Sequence, residues 1–506
     1  MTKTDWGQLL NPFFKTKFKG EQTKMLFSSI SFLFYFLAGI LAVYFILPFK
    51  VKVFKKKNGE YYYFEAKNFA LLIASLFFYF YGEPVYTLLM VATVVVNYIA
   101  GLLIDRFRGT VWSKAALWAS VILSLGSLGF FKYSDFFISN INNLFRTELT
   151  LLALALPIGI SFYTFQILSY TVDVYRGEAK VQKSLIRLAT YVALFPQLIA
   201  GPIVRYTTVE EELSERKHTI SDFGYGVTRF VIGLSKKVLI ADTLGAFIRA
   251  FRASDDTSVV FFWLYAIAVS LQLYFDFSGY SDMAIGLGRI FGFKFLENFN
   301  YPFISKSVAE FWRRWHMSLG TWFRDYVYIP LGGNRVSKGK WFRNTLVVWF
   351  LTGFWHGADW TFIIWGLYFA LFLLLEKFFL NKFFAKIPKV FSHIYVVVLI
   401  LISFVIFSAN GTSGMFTDLG AMFGAGALPF WSADTAYYLS GYAWVFLFAF
   451  VGATPIVKNT VLKIKSYKTG DMILNVLEPI FVVTMLIIVT SYFVDGSFSP
   501  FLYFRF

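Results

Sequence analysis

No cysteine occurs anywhere in the 506 residues, which excludes disulfides, thiolate nucleophiles and Cys-ligated metal centres. Charge is also scarce. Asp, Glu, Lys and Arg together make up 15% of the chain, whereas an average soluble domain carries roughly 25%. Acidic residues are the scarcer kind, 30 against 47 basic ones, giving a formal net charge of +17. The excess does not point to nucleic acid. Lys and Arg gather in short loops, the arrangement expected of cytoplasmic-side loops facing anionic headgroups of membrane lipids. No small-residue cleavage site follows an apolar core near the N-terminus, so residues 1–24 read as a basic interfacial anchor rather than a removed signal. No internal repeat is visible, which weakens a secondary-transporter reading.

What the chain has in abundance is apolar and aromatic residue. Over half is hydrophobic, and phenylalanine alone contributes 64 positions. Uncharged runs long enough to approach a bilayer's width of about 20 residues recur at 25–49, 85–104, 115–131, 151–172, 257–275, 360–375, 394–407 and 481–492. The pattern predicts an all-α polytopic membrane protein with roughly 11–13 membrane segments, several tilted, short or re-entrant. One membrane domain uses residues 25–498, because no loop is long enough to form a soluble domain.

From residue 151 the texture changes. LALALPIGISFYTFQ carries Pro157 and Gly159, and LFPQLIAGPIVR carries Pro196, Gly201 and Pro202. Breakers at membrane depth release backbone groups that protein or cavity water must satisfy. Broken helices around a cavity are one reading and ordinary proline kinks the other. In LQLYFDFSGYSDMAIGLGR the polar residues Gln272, Asp276 and Asp282 cluster. Carboxylates there must face inward or lie at a helix end, so they are cavity-lining candidates with a structural rather than chemical role.

Histidine is the rarest candidate catalyst, with four copies. His218 sits in a charged loop and His393 at the start of an apolar run; neither stands out. His356 is different. It lies in the uncharged run NTLVVWFLTGFWHGA, residues 344–358, beside Trp355 and four residues before Trp360. An imidazole in hydrocarbon is costly unless it pairs, faces a cavity or does work. His316 lies 40 residues earlier in EFWRRWHMSLGTWFRDY. Between the two, Arg313, Arg314, Arg324, Arg335, Lys338, Lys340 and Arg343 outnumber Glu310 and Asp325 and alternate with aromatics, as in cytoplasmic helices at headgroup level. A basic surface beside a polar cavity would also attract a phosphate-bearing anion such as a coenzyme A thioester. Composition alone reads the stretch as a topology-setting loop.

The strings RRWHMSLGTWFRDYVYIPLGGNR, GFWHGADWTFIIWG, PIGISFYTFQILSYTVDVYRG and QLYFDFSGYSDMAIGLGR resemble the membrane-bound O-acyltransferase family, and most closely its bacterial alginate O-acetylation branch. The resemblance covers most of the chain from about residue 25. It implies a ring of tilted helices around a thinned centre, reached by a tunnel from each side. It implies acyl transfer from a cytoplasmic acyl-CoA, acetyl-CoA above all, to a hydroxyl, with no permanently bound cofactor and no metal. It makes His356 the catalytic histidine and His316 the second family position. Arg313, Arg314, Arg324 and Arg335 become candidates for holding the donor, and Trp355 and Asp359 candidates for lining the cavity. Asp359 either shares the helix face of His356 or sits at a break made by Gly357. The setting implied is the bacterial cytoplasmic (inner) membrane, with an extracytoplasmic acyltransferase- or esterase-like partner and a polysaccharide as final acceptor.

The last residues, 499–506, read SPFLYFRF. This resembles a C-terminal motif of the bacterial D-alanyl transfer system, whose tyrosine is proposed to carry the acyl group. Tyr503 is thus a candidate acyl acceptor; an aromatic anchor at the membrane interface is the competing reading. The competing function class is a transporter or channel for an anionic or acylated solute, with polar residues of broken helices lining its path.

Overall fold

The computed structural model describes residues 25, 27–55 and 61–495. Residues 1–24 and the C-terminal motif with Tyr503 lie outside that range. The chain runs as α1 (Ser31–Ile46), a hairpin of β1 (Val51–Lys55) and β2 (Tyr61–Phe64), then α2 (Ala66–Gly82), α3 (Pro84–Arg106) and α4 (Val111–Phe145). The hairpin is antiparallel, pairing Val51 with Phe64. The broken region holds α5 (Ile160–Arg176), α6 (Leu185–Ala193), α7 (Phe195–Leu198) and α8 (Tyr206–Ser214). Next come α9 (Ile220–Ser235), continuing through a π-helical stretch, Lys236–Ala241, into α10 (Asp242–Ala253), and then α11 (Val259–Ile290). Two short helices, α12 (Val308–Arg314) and α13 (Met317–Phe323), lead to α14 (Lys338–His356) and α15 (Trp360–Leu375). The last third is α16 (Lys389–Ser408), α17 (Gly411–Met422), α18 (Ala433–Gly452), α19 (Ile456–Lys465) and α20 (Lys468–Val494). Among the described residues seven helices are long and apolar enough to cross a membrane, and α1 and α2 are shorter apolar helices. The protein is an all-α, multi-pass membrane protein.

Local sequence explains the boundaries. Side-chain oxygens of Ser184, Thr219, Ser258, Ser307, Asp359 and Ser432 accept from the first-turn amides of the helices they precede, which fits their preference for that position. Pro84 opens α3, where its missing N–H costs nothing. Of the apolar run 151–172, only the part from Ile160 is helical; Gly159, with φ of +73°, marks the turn. The preceding strand-like segment is held by Tyr86 and Tyr79, whose hydroxyls donate to the Ala155 and Ile158 carbonyls. Pro157 and Gly159 therefore break the membrane segment outright rather than kinking it. At Pro196 and Gly201 the chain makes only the one-turn α7.

Close backbone approaches hold the centre. Gly226 and Gly233 of α9 face Gly286 and Gly279 of α11, and a Cβ at any of the four would overlap the opposing helix. With lipid outside, helix association rests on packing rather than on expulsion of water, so such small-residue seams carry much of it. A second seam joins α14 to α15. There a Cβ on Gly353 would overlap the Phe362 carbonyl, and one on Gly366 the Trp349 carbonyl. It fixes the end of α14, which is His356. By contrast α20 buries only Val489 and Phe493 and turns Ile473, Val476, Ile480, Val483 and Ile487 outward, as a lipid-facing helix does.

Candidate active site

The two histidines singled out in the sequence come together around Trp355. The His316 ring lies 6.2 Å from the Trp355 ring, and the His356 ring 5.0 Å from it on another side. Phe162 packs at 5.4 Å from Trp355 and 6.4 Å from His316, and Phe277 at 4.7 Å from His316. These rings form an aromatic cluster around the two imidazoles. Both histidines are buried.

His316 reaches its place through an unusual backbone. It sits in the left-handed region, φ 45° and ψ 53°, immediately before α13. A non-glycine residue there is strained, and such strain is concentrated at functional sites. Asn298 supports the turn. Its side-chain oxygen lies 3.3 Å from His316 Nδ1 and accepts from the Ser318 amide and hydroxyl at 3.1 and 2.9 Å, while its carbonyl accepts from the Met317 amide. Ser318 in turn accepts from the Ile203 amide in the broken region.

His356 is the last residue of α14, whose final carbonyls have no partner within the helix. Two residues of α4 supply them. Lys132 Nζ donates to the Trp355 carbonyl at 2.5 Å and the His356 carbonyl at 3.1 Å, and Tyr133 donates to the Phe354 carbonyl at 2.6 Å. A basic group at a helix C-terminus also complements the helix dipole. Lys132 further approaches Ser161 Oγ at 3.4 Å. The imidazole of His356 is walled by Trp365 and Phe407, at 5.1 and 5.3 Å.

Three cavities meet this centre. The largest, about 710 Å3, is lined by His316, Trp312, Thr345, Trp349 and Thr352 at buried or half-buried positions and by Arg313, Arg324 and Lys377 at exposed ones. It runs between α12, α13, α14 and the end of α15. A second, about 30 Å3, holds His356, Trp355, Lys132, Ser161, Gly159 and Pro157. A third, about 20 Å3, holds His356, Asp276, Trp315 and Trp365. His316 thus belongs to the large basic-mouthed cavity, and His356 to the two small ones.

The remaining sequence candidates divide. Arg313 and Arg324 line the large cavity. Arg314 instead pairs with Glu310 at 2.9 Å, and neither it nor Arg335 lines that cavity. Asp282 is paired with Arg229 and Lys236, at 2.6 and 2.7 Å, in a structural network. Asp276 is paired with Lys237 at 2.8 Å but also faces the third cavity. Gln272 packs against Gly245 of α10, away from these cavities. Asp359 caps α15 by accepting from the Thr361 amide at 2.8 Å, so of its two readings the helix break at Gly357 is the one observed. Trp355 packs against both histidines and lines the small pocket. Lys132, Asn298 and Lys377 were not singled out in the sequence. A lysine within the apolar 35-residue α4 is the kind of signal that would have marked Lys132.

The electrostatics outside the membrane segments favour a fixed mouth. Asp325, beside the cavity, joins Arg205 and Arg324, each at 2.6 Å. Partial burial pushes its carboxyl up, but hydrogen bonds from Arg324 and Arg205 outweigh that and hold it below its ordinary range.

Two buried histidines, one on a large cation-mouthed cavity and the other on a small polar pocket, suit transfer of a group between two substrates. Within a multi-pass helical membrane protein, that arrangement fits a membrane acyltransferase. The chain belongs to the membrane-bound O-acyltransferase family, whose model matches residues 107–416. It is 42% identical to a probable alginate O-acetylase, AlgI, of Pseudomonas aeruginosa, over 79% of this chain and 75% of that one. It is 35% identical to a peptidoglycan O-acetyltransferase of Helicobacter pylori, over 70% and 73% of the two chains. A teichoic acid D-alanyltransferase of Bacillus subtilis is 36% identical over 44% of this chain and 59% of its own. The protein is an O-acyltransferase.

Proposed function

We propose that the protein moves an acyl group, acetyl above all, from a cytoplasmic thioester to a hydroxyl on the far side of the bacterial cytoplasmic membrane, for delivery to a cell-envelope or secreted polysaccharide. The observation that carries this is the packing of buried His316 and His356 against Trp355, with each lining its own cavity. The relatives named above act on alginate, peptidoglycan and teichoic acid, which supports a polymer acceptor without choosing one.

In this reading the donor, an acyl-CoA, enters the large cavity. Arg313, Arg324 and Lys377 sit at its exposed end, where cations attract phosphates. The partly apolar interior accommodates the donor's arm, so the thioester approaches His316. The acceptor hydroxyl comes to the pocket of His356, Ser161 and Gly159. His356 takes the hydroxyl proton as the new C–O bond forms. The C–S bond breaks, and the same proton passes to the departing thiolate, so the imidazole ends as it began. His316, held by Asn298, orients the thioester or donates to the developing oxyanion.

The immediate hydroxyl is that of Tyr503 in SPFLYFRF, and an extracytoplasmic acyltransferase- or esterase-like partner takes the group onward. Tyr503 lies outside the described residues, and the relay rests on its motif alone. The test uses purified protein in lipid nanodiscs with [14C]acetyl-CoA. Wild type acquires or passes on covalent label, and His356→Ala, equally well inserted, does not. Uptake into vesicles without covalent label would overturn this reading in favour of a transporter.

A further inference from the structure

Asp276 lies midway along α11, and Lys237 in the π-helical stretch midway between the ends of the α9–α10 rod. Lys237 bonds both Asp276 and Asp242, at 2.8 and 2.7 Å, and all three are buried. Two carboxylates and one ammonium thus meet midway along a helix long and apolar enough to cross a membrane. Such a group is costly and marks function more often than scaffold. A π-helical insertion at that point is a further sign, since such bulges gather at functional sites.

The triad touches the catalytic centre through the 20 Å3 cavity, which Asp276 and His356 both line. A single water needs a space of roughly 10–15 Å3 and two or more polar partners. Besides the carboxylate and the imidazole, Trp365 lines the same space, and its indole N–H has no acceptor among the described residues. Among the described residues, the charged and titratable groups around His356 are Lys132 from α4, His316, and Asp276 from α11, with Lys237 and Asp242 behind it.

We propose that Asp276 is a positioning residue for His356, acting through one water in this cavity to fix the orientation of the imidazole. Lys237 holds the Asp276 carboxylate in place. The inference rests on His356 being the base.

The test is steady-state transfer from acetyl-CoA by the full chain in nanodiscs. Asp276→Asn keeps the side-chain shape and leaves Lys237 paired with Asp242. Its kcat should fall roughly tenfold to a hundredfold, less than the ~10⁴ of a carboxylate bonded directly to its histidine, with the donor KM within about twofold. In a His356→Ala background the same change should have no further effect. Leu273→Phe, which fills the cavity from its wall and leaves every charge in place, should lower kcat in the same way. If Asp276→Asn fails to fold, the Leu273 variant decides. Wild-type kcat in a folded Asp276→Asn or Leu273→Phe protein overturns the positioning role. Wild-type turnover in His356→Ala overturns the base assignment instead, so the two failures are distinguishable.

Discussion

Lys132→Met removes the amino group that closes the end of α14 while keeping most of the side-chain volume. Two buried carbonyls, those of Trp355 and His356, lose their donor. Hydrogen bonds between membrane helices average only about 0.6 kcal/mol, because the separated helices find other partners. That average does not apply here. The carbonyls end a helix, have no intrahelical donor, and are enclosed by Phe162, Trp355 and the 156–160 segment. The relevant cost is that of leaving a buried acceptor unpaired, about 1–3 kcal/mol each. Taking about 3 kcal/mol for the pair, the equilibrium between the native and a displaced helix end shifts about a hundredfold toward the displaced one, since 1.4 kcal/mol is tenfold. Turnover should therefore drop by up to about a hundredfold. Tyr133 still holds the Phe354 carbonyl, so α14 should remain inserted and the protein should still elute as one species. Lys132→Arg, which can reach the same carbonyls, should recover most of the loss. The measurement is acetyl transfer per folded molecule, with amount and homogeneity read by fluorescence-detected gel filtration. A Lys132→Met protein within about twofold of wild type would refute the claim that this contact sets the position of His356.

Other outcomes follow from the same geometry. His356→Ala should reduce transfer by at least 10²–10⁴-fold, the usual worth of a general base, with normal insertion; retained turnover in the labelled assay would remove it from the mechanism. Tyr503→Phe should block delivery to the external polymer with little change in expression, read as polymer-bound acetate in cells carrying the variant; full acetylation there would end the relay proposal. Gly366→Leu should separate α14 from α15 and abolish stable folding, seen as loss of the monodisperse peak, because its side chain has only the Trp349 backbone to displace. The Asp325 contacts are expected to loosen in acid. Its carboxyl is held below its unfolded value, so the contribution is complete above that value and is lost as pH falls through the folded one. Thermal melts of the detergent-solubilised protein from pH 6 downward should show this decline, and Asp325→Asn should flatten it.

Much of this centre was legible in the chain. A histidine inside an uncharged run, and another amid alternating tryptophan and arginine, both pack against Trp355 in the structure. The breakers at Pro157 and Gly159 left a broken helix and a kink open, and the structure shows the break, because proline and glycine act through the local backbone. What was hidden depends on contacts between distant elements. Lys132 follows the uncharged run 115–131 and reads as its cytoplasmic or interfacial end; only the helix continuing to Phe145 shows that it lies inside. Arg313 and Arg314 are neighbours in sequence, yet a turn of helix sends one to the cavity and the other to Glu310. The glycines of α9 and α11 show a seven-residue spacing in each helix, but nothing in either string says that they face each other. Asp359, three residues after His356, looked available as its partner, and the helix break at Gly357 turned it to a cap instead.

The aromatic cluster of Trp355, Phe162 and Phe277 bears on the cell as well as on the reaction. An open aqueous route across an energised membrane would short-circuit it, since each elementary charge crossing 100 mV dissipates about 2.3 kcal/mol. An enzyme that works inside a membrane must therefore also insulate, and close-packed rings at its centre suit that duty.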